Sequence, residues 1–338
     1  MERPDLSDVP DIVQDYIDYL EQTLLQLQAG NTPFTPEPEP DEPPTTVNVI
    51  TISAAGVAKR TPRHLYGRQR RGGMGVFDID LPDDDRPAVL ALADETDHLL
   101  LFTDQGRAFR LAVGVVPKTA VHARGTSLLD KLPFRTGERI IAALPADKGH
   151  QVALVSKRGW VRLVHKVRLG SSLIPGMSFF DTGKHGAVVA ACWTNGQQQL
   201  LMATRHGLGI RFLETQVHQQ GTLGLRVEPG DEVVTVTAVT DDSAVFLLSD
   251  DGKGTLRQME GLRINKSPGA GGKVAMKTET LVTAVAAANE DDLFIISTLG
   301  KIIRFRADEI PAKTGVVQGV NCMTLRNDVV TATAVAQP

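Results

Sequence analysis

Two kinds of hydrophobic patterning divide this chain. Between residues 8 and 29 the apolar side chains Val9, Ile12, Val13, Tyr16, Leu20, Leu24 and Leu27 recur at three- and four-residue steps, with acids between them. That spacing predicts one amphipathic helix. Asp8 can cap it, Pro10 falls near the first turn where a missing N–H is harmless, and Gly30 with Asn31 stops it. Residues 31–46 carry six prolines among acids and threonines, the composition of an extended, solvated linker. From residue 47 to residue 338 the pattern changes to short apolar runs broken by turns, which predicts strands throughout. The expected organisation is therefore a helix in residues 1–30, a linker in 31–46 and one all-β body in 47–338.

The β body repeats itself. An apolar run is followed by Ser or Thr, two variable residues, a glycine and a second run. The six copies place these residues at Ser53 and Gly56, Thr103 and Gly106, Ser156 and Gly159, Thr204 and Gly207, Ser249 and Gly252, and Ser297 and Gly300. A hairpin turn that ends on a glycine with positive φ suits the twist of paired strands, and a hydroxyl can bond backbone inside the turn. Six units of about fifty residues have the period of propeller blades. A closed six-bladed, propeller-like ring is expected, with the continuous apolar strands before each turn near the shared axis and buried on both sides.

Charge changes the picture more than composition does. The net charge is −4, yet residues 1–46 hold eleven acids against Arg3 alone. That segment is −10, so the remainder is +6, an acidic arm beside a basic body. The chain opens without an apolar signal core and has no apolar run of eighteen residues, so a cytoplasmic protein with no membrane partner is expected. Cys192 and Cys322 sit in apolar runs and read as small buried thiols, not as a disulfide or metal site. The eight histidines lack metal-ligand spacing, and no glycine-rich nucleotide loop is present. No cofactor is expected.

A cation recurs just past each turn glycine: Lys59 and Arg60, Arg107 and Arg110, Arg162, Arg211, Lys253 and Arg257, and Lys301 and Arg304. If the blades are equivalent, these cations form a regular track for a bent polyphosphate, read through backbone charge and deformability instead of base edges. The first repeat adds a denser cluster, Arg68, Gln69, Arg70, Arg71, Gly72, Gly73, Met74 and Gly75. Glycines let backbone amides approach phosphate, and each arginine can bind phosphate oxygens in a bidentate manner.

That cluster resembles the seven-residue signature box of the DNA gyrase A subunit, Gln-Arg-Arg-Gly-Gly-Lys-Gly. Six of seven positions match, at Gln69, Arg70, Arg71, Gly72, Gly73 and Gly75, while Met74 stands where the family has lysine. Residues 56–60, the acidic turn at Asp83, Asp84 and Asp85, and the second repeat at 99–117 are also similar to that family. The resemblance covers residues 47–338. It implies a six-bladed β-pinwheel whose blades exchange strands, around which double-stranded DNA bends, with the box needed for wrapping; localisation would then be to the nucleoid. Vestigial boxes stand at Ala123, Arg124 and Gly125, and at 269–273.

The three tyrosines, Tyr16, Tyr19 and Tyr66, lack the context of a DNA-cleaving residue, so no catalytic residue is expected. The leading expectation is a non-catalytic, sequence-independent DNA-binding and DNA-bending module. A protein scaffold is the alternative, as is a non-catalytic component that assembles with a separate type II topoisomerase cleavage subunit through residues 8–29. The acidic segment is also expected to compete with DNA for the basic body.

Overall fold

The computed structural model describes residues 42–338; the helix expected at 8–29 and the linker up to residue 41 lie outside the described residues. The described residues form six antiparallel blades of one plan. In the first blade the order from the axis outward is Pro87–Asp94, Val47–Ser53, Val57–Pro62 and Thr126–Ser127. Three strands belong to the first repeat, and the outermost comes from the second. Every repeat donates its short fourth strand to the blade before it. The first repeat donates Val76–Phe77 to the last blade, pairing with Lys301 and Ile302. The ring is closed by that exchange and by apolar packing across the same seam, where Val49, Tyr66 and Leu90 meet Phe294, Ile296 and Ile302.

The apolar strands before each turn are buried on both faces, as the pattern predicts, but they are not the innermost. Each lies second from the axis, between two flanking strands of its own sheet and two neighbouring blades. The innermost strand is the last of each repeat in chain order, and it is rich in small residues such as Ala91, Ala142, Ala191, Thr235, Ala284 and Ala332. Six strands converging on one axis favour small side chains, and the channel between them has a volume of about 400 Å3.

The repeated turn has three separate reasons for its glycine. Its φ is positive, from +71° at Gly106 to +84° at Gly56 and Gly159, and its N–H bonds the Ser or Thr carbonyl three residues earlier at 2.9–3.1 Å. Its own carbonyl accepts from the donated segment, as from Leu128 (2.9 Å), Phe179 (2.8 Å), Ala275 (2.8 Å), Cys322 (2.9 Å) and Asp78 (2.8 Å). A Cβ would collide with that same segment, 1.9 Å from the Leu225 carbonyl at Gly159 and 2.3 Å from the Met276 carbonyl at Gly207. The Ser or Thr hydroxyl accepts from the N–H four residues on in five blades, for example Val57 to Ser53 (3.0 Å) and Lys301 to Ser297 (3.2 Å). In the fifth blade the Ser249 hydroxyl instead donates to the Lys253 carbonyl.

The end of the expected linker departs from a solvated coil. Glu42 contacts Arg63 (3.0 Å) and the buried Arg304 (3.0 Å), and Thr46 bonds Asp94. The two guanidinium groups overcome the upward pull of burial and hold the Glu42 carboxyl below its ordinary range.

Candidate nucleic-acid interface

The cations that follow the turns do not form one equivalent, open track. Arg60, Arg110, Arg211 and Arg304 each pair across the hairpin with the residue three before the turn Ser or Thr, namely Ile50, Leu100, Leu201 and Phe294. Arg162 faces Leu154 and Arg257 faces Val245, displaced by one residue in opposite directions. A one-residue displacement on a strand turns the side chain to the other face.

Five of the ten cations are buried: Lys59, Arg107, Arg211, Arg257 and Arg304. Lys59 is fully enclosed, with its ammonium on the Asp78 carboxylate (2.8 Å), the Asp78 and Ala120 carbonyls (2.5 and 3.1 Å) and the Val121 carbonyl. Arg107 binds Glu138 and the carbonyls of Gly176 (2.8 Å) and Pro133 (3.2 Å). Arg211 lies 3.1 Å from Asp241, and Arg257 donates to the Gly261 carbonyl at 3.0 Å. Arg304 binds Asp292 and Glu42 and the carbonyls of Arg63 (3.2 Å) and Tyr66 (3.0 Å). Burial lowers the pKa of Lys59, Arg211 and Arg257 by penalising the charged form. For these five the expectation of an open phosphate track is corrected: they bind carboxylates and carbonyls inside the ring, so an outside polyanion cannot reach them without opening it.

The other five are more accessible, and several are already engaged. Arg60 bonds the Val116 carbonyl (2.7 Å) and approaches Glu95 (3.4 Å). Arg110 lies 3.9 Å from Asp147. Exposed Lys253 pairs with Asp251 at 2.6 Å. Half-buried Lys301 sits over the Phe77 ring, 5.2 Å from its centroid. Arg162 is half-buried and faces a cavity of about 500 Å3 shared with Arg135 and Gln105.

The box is the connection that carries the first repeat's fourth strand to the last blade, and its glycines serve that crossing. The Gly72 N–H donates to the Cys322 carbonyl (2.8 Å) and the Gly73 N–H to the Arg70 carbonyl (3.2 Å). Both amides are thus bound inside the protein, which corrects the expectation that they cradle phosphate. A Cβ on Gly75 would lie 2.5 Å from the Ile302 carbonyl, and one on Gly73 2.8 Å from the Gln69 amide oxygen. The Gln69 N–H bonds the Arg304 carbonyl (2.7 Å). Arg71 is held by Glu309, through its N–H to the carboxylate (2.9 Å) and its guanidinium to the carbonyl (2.8 Å), and by the Asn321 carbonyl (3.1 Å). Arg68 pairs with Asp292 at 3.0 Å. Arg70 is exposed and makes no ion pair with any described residue. Met74 is 47% exposed, so a longer cation there would have met solvent.

Other accessible cations lie on the crossing connections of other repeats, where the sequence points only to the vestigial boxes that hold Arg124 and Lys273. They include Lys118 and Arg124 in the second, Lys166 and Arg168 in the third, Arg263, Lys266 and Lys273 in the fifth and Lys313 in the sixth, all exposed. Arg124 is tied to Asp80 at 2.8 Å. The available signal was positional for four of them: Lys118, Arg124, Lys266 and Lys313 lie 12–18 residues beyond their turn glycines, as residues 68–75 lie 12–19 beyond Gly56. Among the described residues no group of three or more His, Cys, Asp or Glu side chains could hold a metal, and no helix is long and apolar enough to cross a membrane. The Cys322 thiol is buried, which pushes its pKa up to about 12.

Comparison with known proteins agrees with this architecture. The DNA gyrase A subunit of Chlamydia muridarum (strain MoPn / Nigg) is 26% identical over 321 residues, 90% of this chain and 38% of that protein. That of Staphylococcus aureus (strain MRSA252) is 28% identical over 298 residues, 83% and 33% respectively. The chain therefore spans about a third of the length of these relatives. A solved DNA gyrase A C-terminal domain superposes with a TM-score of 0.76 at 19% identity, covering 86% of this chain and 99% of that domain. The C-terminal domain of a DNA topoisomerase IV gives 0.61 at 19% identity, covering 86% and 93%. Residues 48–86, 97–147, 198–240 and 291–336 match the family described as DNA gyrase C-terminal domain, beta-propeller. Those segments fall in the first, second, fourth and sixth repeats, the four whose arginine keeps the common register. With more than half its length matched, the chain belongs to the family of DNA gyrase C-terminal β-propeller domains.

Proposed function

We propose that the chain binds duplex DNA on its outer edge and bends it, with the box loop as the main contact. The observation that carries this reading is Arg70, exposed and without an ionic partner among the described residues, on a loop whose amides and neighbouring arginines are fixed internally. A cation held out by an ordered loop meets phosphate with less entropy to lose than one on a mobile loop. Arg68 and Arg71, each partly accessible, extend the contact, and Lys118, Arg124, Lys166, Arg168, Lys266, Lys273 and Lys313 continue it round the edge. Contacts of this kind read backbone charge, so binding is sequence-independent and falls steeply with salt.

The role is non-catalytic. The chain spans about a third of the gyrase proteins it matches, and we propose that it works with a type II topoisomerase cleavage subunit. Topology trapping tests the DNA part directly. Relaxed closed-circular DNA incubated with the full chain and topoisomerase I, then deproteinised, should show a shift in linking number that grows with protein and disappears at high salt. An unshifted distribution at saturating protein rules out bending with a defined hand and leaves a protein scaffold as the better reading.

A further inference from the structure

The base of the box loop is closed by a buried polar cluster that the first repeat builds and the others do not. Tyr66 immediately precedes the loop, and Asp78 follows its exit strand; both are buried, and the Tyr66 hydroxyl donates to Asp78 Oδ1 at 2.5 Å. Lys59 binds the same oxygen at 2.8 Å, and the Thr51 hydroxyl donates to Asp78 Oδ2 at 2.6 Å. Lys59, Thr51 and Asp78 are each 0% exposed. The residues that follow the donated strand in the other repeats, at the place of Asp78, are Leu128, Phe179, Gly224, Ala275 and Cys322. At the place of Thr51, two before the turn hydroxyl, stand Leu101, Leu154, Met202, Leu247 and Ile295. The same architecture is thus built five times with apolar packing here and once with a buried ion pair.

Buried ion pairs are commonly no more stable than the well-packed apolar residues that replace them; what they can supply is a single allowed arrangement. The feature that sets the first repeat apart is the box. We infer that Tyr66, Asp78, Lys59 and Thr51 are positioning residues for the box loop, fixing its two ends against each other so that Arg70 is presented in one geometry. The inference rests on the proposed DNA contact only for its second readout, since the order of the loop can be measured without DNA.

The test uses the full chain and two sets of substitutions. Tyr66→Phe removes one hydroxyl. The combined Thr51→Val, Lys59→Met, Tyr66→Phe, Asp78→Leu chain replaces the cluster with hydrocarbon and leaves no charge stranded. Amide exchange at Gly72 and Gly73 should quicken about tenfold or more in the combined chain, while the turn amides of Gly106, Gly159 and Gly207 keep their rates. Duplex affinity should fall with it, and the Tyr66→Phe chain should lie between. Unchanged exchange in the box, or acceleration spread evenly over all blades, overturns the inference, because both are what a merely structural cluster gives. If box exchange quickens while neither this chain nor Arg70→Ala changes DNA affinity, the positioning role stands and the DNA reading of the loop falls.

Discussion

Removing Arg304 and removing Arg70 should have opposite consequences, although both are arginines of the same seam. Arg304 is 2% exposed and fully engaged by Asp292, Glu42 and two carbonyls. Arg304→Ala takes the shared cation from Asp292 and Glu42, whose side chains are 5% and 11% exposed, and leaves each with one arginine, Arg68 and Arg63. Breaking a buried pair on one side costs most when the remaining charge is left alone; with one arginine kept on each carboxylate the loss should be about 3 kcal/mol, the low end for such a pair. With a urea slope of about 3 kcal/mol per molar for a body of this size, the unfolding midpoint should fall by roughly 1 M. Arg70 has no ionic partner among the described residues to strand, so Arg70→Ala should move stability by no more than about 0.5 kcal/mol. Its effect should appear in DNA titrations at several salt concentrations. One lost phosphate contact lowers the slope of log affinity against log salt by about 0.9. The reasoning is refuted if Arg304→Ala unfolds at the parental midpoint while flattening the salt slope, or if Arg70→Ala leaves that slope as it was.

Three further substitutions probe the strand exchange and the pH response of the fold. Gly159→Ala and Gly230→Ala both place a side chain at positive φ, +84° and +85°, but only the first drives a Cβ into the Leu225 carbonyl at 1.9 Å. Gly230→Ala should cost about 1–2 kcal/mol. Gly159→Ala should cost about 2–3 kcal/mol more, from the two hydrogen bonds at its carbonyl and part of the Leu225 burial; equal unfolding midpoints would show that the donated strand does not press on the turn. His185, buried against Trp160 with ring centroids 3.9 Å apart, has its pKa lowered by burial and by Lys184, against a smaller upward pull from Asp181. A histidine favoured as neutral in the fold is protonated first in the unfolded chain, so its contribution is whole above about pH 6.5 and declines as pH falls through that value towards the folded pKa. Urea midpoints should drop over that window, and His185→Gln should remove the part of the drop it causes; an unchanged pH profile counts against it.

Most of the ring was readable because its signals are local. The turn needs a hydroxyl and a glycine three residues apart, and both reasons recur wherever the hairpin does. A closed ring was expected from the sixfold repeat, but the pairing that closes it was not readable, because Val76–Phe77 joins a strand more than two hundred residues away. The same non-local geometry explains the mistake about the cations. Arg60, Arg211 and Arg304 look like solvated hairpin residues in a linear reading, in which Asp241 and Asp292, the carboxylates of their own repeats that pair with Arg211 and Arg304, do not stand out. What covers them is the next repeat's crossing segment, whose backbone docks on their carbonyls, Thr119 on Arg60 (2.8 Å), Asn265 on Arg211 (2.6 Å) and Gln69 on Arg304 (2.7 Å). The hairpin that seemed to face solvent is therefore the inside of a joint, and the solvent-facing charge moves outward to the segment that crosses it. In this ring many of the exposed cations belong to the connections, and buried hairpin arginines such as Arg211 and Arg304 lie beneath the segments that cross them. The box combines the two roles in one loop: Arg68 and Arg71 pair inward with Asp292 and Glu309, and Arg70 points its charge out.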